Sequence, residues 1–145
     1  MRATARVTRT KPGVFDKYGK KVVDAVKREV ARGAANVRND AARSIQSAPR
    51  GGEAYVRYNP NRTGRASAPG EPPATDTGFL VSNISFQIGF DGLSADMISH
   101  APYSTDLEFG TSNMGARPFL VPALEENKPK ITMRINNAVK RAGGR

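Results

Sequence analysis

The chain has 145 residues, a formal net charge of +10, 38% hydrophobic residues, and neither cysteine nor tryptophan. That length supports one domain with one modest core, and the missing thiols exclude disulfides and thiolate metal sites. No run of about 18 apolar residues occurs, so no membrane-spanning helix is expected, and the basic N-terminus lacks the apolar stretch of a secretory signal.

With 14 glycines and 10 prolines, much of the chain must be turn or irregular segment. Partner subunits would help such a chain bury its apolar surface. The charge is uneven. Residues 1–50 carry 13 of the 23 basic side chains and 4 of the 13 acidic ones. A basic segment of this kind can meet phosphate, an acidic protein or solvent.

Residues 1–13, MRATARVTRTKPG, read as a mobile or partner-bound basic arm. Its Arg2, Arg6, Arg9 and Lys11 are spaced to follow a polyanion rather than to form a compact patch.

From Val14 the pattern becomes helical. Val23, Val26, Val30, Ala34, Val37, Ala41 and Ile45 recur at spacings of three and four, which makes one apolar stripe. Lys20, Lys27, Arg28, Arg32, Arg38 and Arg43 fall mostly off it. The spacing predicts a helix over 16–46, roughly 45 Å long at about 1.5 Å per residue. Gly33 weakens its middle by about 1 kcal/mol relative to alanine, and Pro49 lies beyond its end.

EAYVRY (53–58) alternates as a short strand. A Pro/Gly-rich loop is expected at about 59–78, carrying Arg62 and Arg65; a loop of that length implies function or disorder. FLVSNISFQIGF (79–90) reads as a strand with Ile84, Phe86, Ile88 and Phe90 on one face. Asp76 or Thr77 is a candidate cap for a short helical turn ahead of it. Asp91-Gly92 signals a turn into a partner strand at 94–100. In 101–121, Asp106 and Glu108 would project to one side of an extended segment, with Leu107 and Phe109 on the other. Arg117 is placed to pair with Glu108, within a subunit or across an interface. Pro118 suits the first turn of a last helix running through Ile131, Ile135, Ala138 and Val139, with Pro129 dividing it or starting a second segment. Residues 142–145 are expected to be a flexible tail.

These elements predict an α+β fold: a small antiparallel sheet packed with a long N-terminal helix and a C-terminal helix, with one domain over 14–141. The only histidine is His100. A triad would draw on Ser99 or Ser104 with Asp106, but the sequence has no nucleophile elbow. Scattered carboxylates and one histidine do not make a metal site, and GRASAPG (64–70) lacks the lysine and flanking elements of a phosphate loop. No catalytic residue, metal or cofactor is therefore expected.

The chain carries APGEPP at 68–73, DTG at 76–78, APY at 101–103, LEFGT at 107–111, ARPFL at 116–120 and PAL at 122–124. In this order and spacing, the joint pattern over roughly 14–140 resembles the head–tail joining, or tail-completion, family of tailed phages, the gene-10-like group. Ser104 stands where alanine is frequent, and Val121 where arginine is common. The resemblance implies a tail-terminator-like fold and a non-enzymatic virion protein of the neck, at the head–tail junction, assembled in the host cytoplasm. Implied partners are copies of the chain in a ring of six, a head-side connector or stopper, and a tail terminator or tail-tube protein. Genomic DNA would be approached without sequence reading, and no membrane is involved. Tyr103, Leu107, Glu108, Phe109, Arg117 and Phe119 would organise the fold and the ring interface. Arg2, Arg6, Arg9, Lys11, Lys20, Lys27, Arg28, Arg62 and Arg65 would face DNA or a partner. Removing residues 62–73 is expected to leave the fold intact while blocking joining. The alternatives are a tail terminator capping the tail tube, a non-specific basic nucleic-acid-binding assembly protein, and a small hydrolase using His100.

Overall fold

A computed structural model describes residues 1–6, 14–58 and 61–144, with the side chains of 5, 6 and 14–18 left undescribed. The fold is α+β. Strand β1 is Arg2–Arg6, helix α1 Val14–Gln46, β2 Ala54–Tyr58 and β3 Asn61–Arg65. Helix α2 is Phe79–Ser82, β4 Ile84–Ile88, β5 Ser94–Ser99, α3 Ser104–Phe109 and α4 Leu120–Ala142.

The apolar stripe of α1 meets the sheet on one side and α4 on the other. Val26, Val30, Ala34, Val37, Ala41 and Ile45 are all buried. Val22, not the expected Val23, faces the core. The helix breaks at Gly19, whose φ of 66° and ψ of −160° are not helical. Leu80, Ile84, Ala95, Met97, Phe119, Leu120 and Ala123 complete the core.

The main sheet is antiparallel in the order β1-β5-β4. This corrects the reading of an arm for its first residues: Arg2 to Arg6 pair with Ile98 to Ser94, and the rest of the expected arm, 7–13, lies outside the described residues. The strand exists because β5 offers a free edge that the short, apolar Ala3 can join, packing on the core. Ala95, Met97 and Ser99 point inward along β5. Arg2 lies on the opposite, polar face and forms an ion pair with Asp96. Arg9 and Lys11, and the side chain of Arg6, lie outside the described residues.

The predicted 79–90 strand divides. Its first residues form the short helix α2 and only 84–88 pair with β5, in the register Ile84↔Ser99 to Ile88↔Ala95. Gly78, at φ 77°, holds the N-cap position of α2, so neither Asp76 nor Thr77 does. The Asp91-Gly92 turn is present: the Leu93 N–H donates to Asp91 Oδ1 at 2.9 Å, and Gly92 has φ 71°.

The expected long loop is shortened by β3, which pairs with β2. Tertiary packing also decides the last helix. Pro118 lies ahead of the N-cap residue Phe119, Pro122 sits in the first turn, and α4 continues through Pro129 to Ala142. The expected flexible tail therefore loses Ala142 to the helix; Gly143 and Gly144 follow it as a turn.

Gly33 does more than weaken α1. A Cβ there would lie 2.8 Å from Ile131 Cγ1, so the missing side chain lets α1 and α4 approach. Asn127, also buried, donates from Nδ2 to Asp40 Oδ2 at 2.8 Å across the same interface. Gly33→Ala should lower stability despite a propensity gain of about 1 kcal/mol, and Gly33→Val should cost about 1–3 kcal/mol by overpacking. Urea midpoints check both, and Ile131→Ala should restore part of the loss in the Gly33→Val chain.

Candidate interaction surface

The segment 101–121 is not extended. Ser104–Phe109 forms one and a half turns of helix, α3. An alternating run of six residues suits either conformation, and the surrounding contacts select between them. At about 100° per residue, Asp106 and Glu108 fall on nearly opposite faces. Asp106 is exposed, while Glu108 is only 3% exposed.

The chain must then reverse. Gly110 adopts φ 75° and ψ 174°, a conformation that disfavours any side chain. A Cβ there would also stand 2.8 Å from the Met114 carbonyl oxygen. The Thr111 N–H donates to the Met114 carbonyl at 2.8 Å, closing a tight turn, and the Arg117 N–H donates to the Leu107 carbonyl at 2.6 Å. The returning strand of chain thus lies against α3.

That reversal delivers the start of α4 to Glu108. The Phe119 and Leu120 N–H groups donate to Glu108 Oε2, each at 3.0 Å, and the Val121 N–H to Oε1 at 2.7 Å. A helix leaves its first four N–H groups without internal partners. Here three are met by one carboxylate, and the fourth position is Pro122, which has no N–H. The positive end of the helix dipole further favours the charge. The expected Arg117–Glu108 pair does not form within the chain: the carboxylate accepts from backbone donors. Arg117 Nε instead donates to the Ser67 carbonyl at 3.0 Å.

Arg117 thereby ties in the Pro-rich segment. The Ala68 N–H donates to Glu71 Oε2 at 2.8 Å, folding APGE on itself. The Gly70 N–H donates to the Ala116 carbonyl at 2.8 Å, and the Gly52 N–H to the Ala66 carbonyl at 2.9 Å. Ser67 and Pro73 are buried. Residues 66–78 are consequently part of the fold, which corrects the expectation that deleting 62–73 leaves it intact. Asp76 holds the β2–β3 pair through an ion pair with Arg57 at 2.8 Å. Both side chains are well exposed, so this bridge contributes little, about 0–1 kcal/mol.

The remaining predicted residues separate. Phe119 is buried, Leu107 half-buried, and Phe109 66% exposed at the end of α3. Tyr103 tilts against Phe79 with ring centroids 6.2 Å apart, and partial burial raises its phenol above the ordinary value of 10.0. Tyr103, Phe79, Tyr55, Arg65, Ser67 and Arg117 help to line a cavity of about 300 Å³. The buried Ser67 hydroxyl has no partner among the described residues. Lys20, Lys27, Arg28, Arg62 and Arg65 are exposed. Sequence reasoning missed Ser67, Tyr55 and Tyr58 as surface candidates and put Phe90 on the apolar face of a strand, whereas β4 ends at Ile88 and Phe90 is 111% exposed; Tyr58 is 83% exposed.

His100 Nε2 lies 3.0 Å from Ser85 Oγ. Ser99 and Ser104 have buried hydroxyls without hydrogen-bond partners among the described residues, so the paper triad with Asp106 is not assembled. No group of three or more potential metal ligands occurs among the described residues, and no described helix is long and apolar enough to cross a membrane.

Glu108→Ala should lower the unfolding free energy by about 3 kcal/mol or more, because it leaves buried N–H donors unmet at about 1–3 kcal/mol each. Glu108→Gln, which keeps one acceptor oxygen, should lose less; chemical denaturation distinguishes them. Deleting residues 66–73 should lower the melting temperature and expose the α4 entrance to amide hydrogen exchange. Comparison with known protein families, with curated proteins and with solved structures finds no match to this chain.

Proposed function

We propose that the chain is a structural subunit of a phage neck, joining a head-side connector or stopper to the tail as one member of a ring around the DNA channel. One observation carries the reading. Three blocks, 68–78, 101–111 and 116–124, the first well separated in sequence from the other two, converge on the entrance of α4 and hold one another there. The motifs of the head–tail joining resemblance are thus used to brace a surface rather than to assemble reacting groups. That surface carries exposed aromatic rings at Phe79 and Tyr103 beside the cations of Arg65 and Arg117, and Phe109 is exposed at the end of α3. Such a mixture suits protein contacts, in which aromatic residues and arginine are enriched.

In this reading the partners are further copies of the chain, the connector or stopper, and a terminator or tail-tube protein, and the chain resides in the virion at the head–tail junction. It needs no cofactor and performs no reaction. Lys20, Lys27 and Arg28 on α1, with Arg62 on β3, supply positive charge to a DNA channel without reading bases. A tail terminator capping the tube uses the same features one tier lower. The exposed cations favour one further reading, a non-specific nucleic-acid-binding assembly protein, which would bind DNA alone with a steep salt dependence.

The test is assembly. When a phage lacks its own copy of the chain, filled heads and finished tails should accumulate unjoined, and purified protein should restore joined particles by electron microscopy. His100→Ala should restore them equally well. Normal joined virions without the chain would overturn the reading.

A further inference from the structure

The most exposed apolar side chain among the described residues is Phe90, at 111% of its reference area. It sits at the turn between β4 and β5, immediately before the exposed Asp91. Asp91 uses Oδ1 to accept the Leu93 N–H, and its Oδ2 has no hydrogen bond among the described residues. The stem of Lys27 lies against Gly92, but no Lys27–Asp91 ion pair forms among the described residues. The tip therefore presents an aromatic ring followed by an anion.

The cavity of about 300 Å³ between the Pro-rich segment, β2–β3 and α3 has the complementary chemistry. Tyr55, Phe79 and Tyr103 give it aromatic walls, Arg65 and Arg117 give it cations, and Ser67 gives it a hydroxyl without a partner. Arg117 is tied to the Ser67 carbonyl through Nε, and its terminal nitrogens form no hydrogen bond among the described residues.

Tip and cavity cannot meet within one chain. Phe79 precedes β4 and Tyr103 follows β5, whereas Phe90 joins the two strands. The β4–β5 pair, about 17 Å long at roughly 3.3 Å per residue, holds them at opposite ends. We infer that the Phe90-Asp91 tip of one copy docks in the Tyr55–Tyr103 cavity of the next. Phe90 enters between the aromatic walls, and Asp91 meets Arg65 with Arg117 behind it. The contact joins two different surfaces, so it is head-to-tail and closes into a ring when the rotation per copy permits. The inference rests on the ring reading above for the identity of the occupant, a second copy of this chain.

The absence of cysteine makes a direct test simple. A full-length Arg65→Cys/Asp91→Cys chain, oxidised at high concentration, should give a ladder of disulfide-linked oligomers on a non-reducing gel. An Asn137→Cys/Asp91→Cys control should not give that ladder. In sedimentation velocity, Phe90→Ala should weaken self-association at least ~10-fold, as expected for losing a buried aromatic side chain. Asp91→Arg and Arg65→Glu should each weaken it, and the two together should recover association. All three positions are exposed, so circular dichroism should remain that of the parent.

Association unchanged by Phe90→Ala and Asp91→Arg, with no ladder above the control, would overturn this contact and leave the ring reading standing. An unlinked, monomeric parent chain would overturn the contact, while the joining assay judges the ring reading separately.

Discussion

The carboxylate of Glu108 is the constraint on which the rest of the fold depends. A buried carboxylate is costly, by several kcal/mol in an apolar surrounding, and a helix start with unmet N–H groups is costly as well. Each cost is removed by the other, provided that α3 and the start of α4 are held within hydrogen-bond distance. The tight turn through Gly110 to Met114 supplies that proximity, and the Arg117 N–H fixes it from the other side. The 23-residue α4 is therefore anchored at its first turn, which sets its angle across α1.

That anchoring propagates in two directions. Inward, it places Leu120 and Ala123 against the valine stripe of α1, where the missing side chain of Gly33 allows Ile131 to pack closely. Outward, it places Arg117 to grip Ser67 and so fastens the Pro-rich segment over α3. One charged group thus connects the helix–helix core to the exposed aromatic and cationic surface. A surface held in this way is preorganised, and a preorganised interface loses less entropy on association. Among the basic residues, Arg2, Arg32 and Arg43 are engaged in ion pairs at the surface, and Lys20, Lys27, Arg28, Arg62 and Arg65 are exposed.

The sequence alone determined what local periodicity and punctuation can encode. The three-and-four spacing of Val26 to Ile45 specified α1 because only one face of a helix can collect those positions. Asp-Gly after an alternating run specified the β4–β5 turn, and the branched and small residues of 131–139 specified the later turns of α4. These signals are short-range, and they sufficed for the α+β class and for the order of its two long helices. Tyr103, Glu108, Phe109, Arg117 and Phe119 stand out in the sequence because they lie in compact motifs, but those motifs do not separate the buried Glu108 and Phe119 from the exposed Tyr103 and Phe109.

What those residues do was decided only by the tertiary structure. Nothing within Ser104–Phe109 distinguishes a strand from a helix, so the partner of Glu108 could not be read from spacing; it is set by where the chain returns after Gly110. Residues 2–6 became a strand because β5 offers a free edge, and the Pro-rich segment became ordered because Arg117 reaches it from 50 positions away. Pro122 is the one first-turn position of α4 that needs no hydrogen-bond partner, which only the placement of Glu108 makes apparent. Long-range contacts of this kind depend on which surfaces meet, and local propensity carries no record of that.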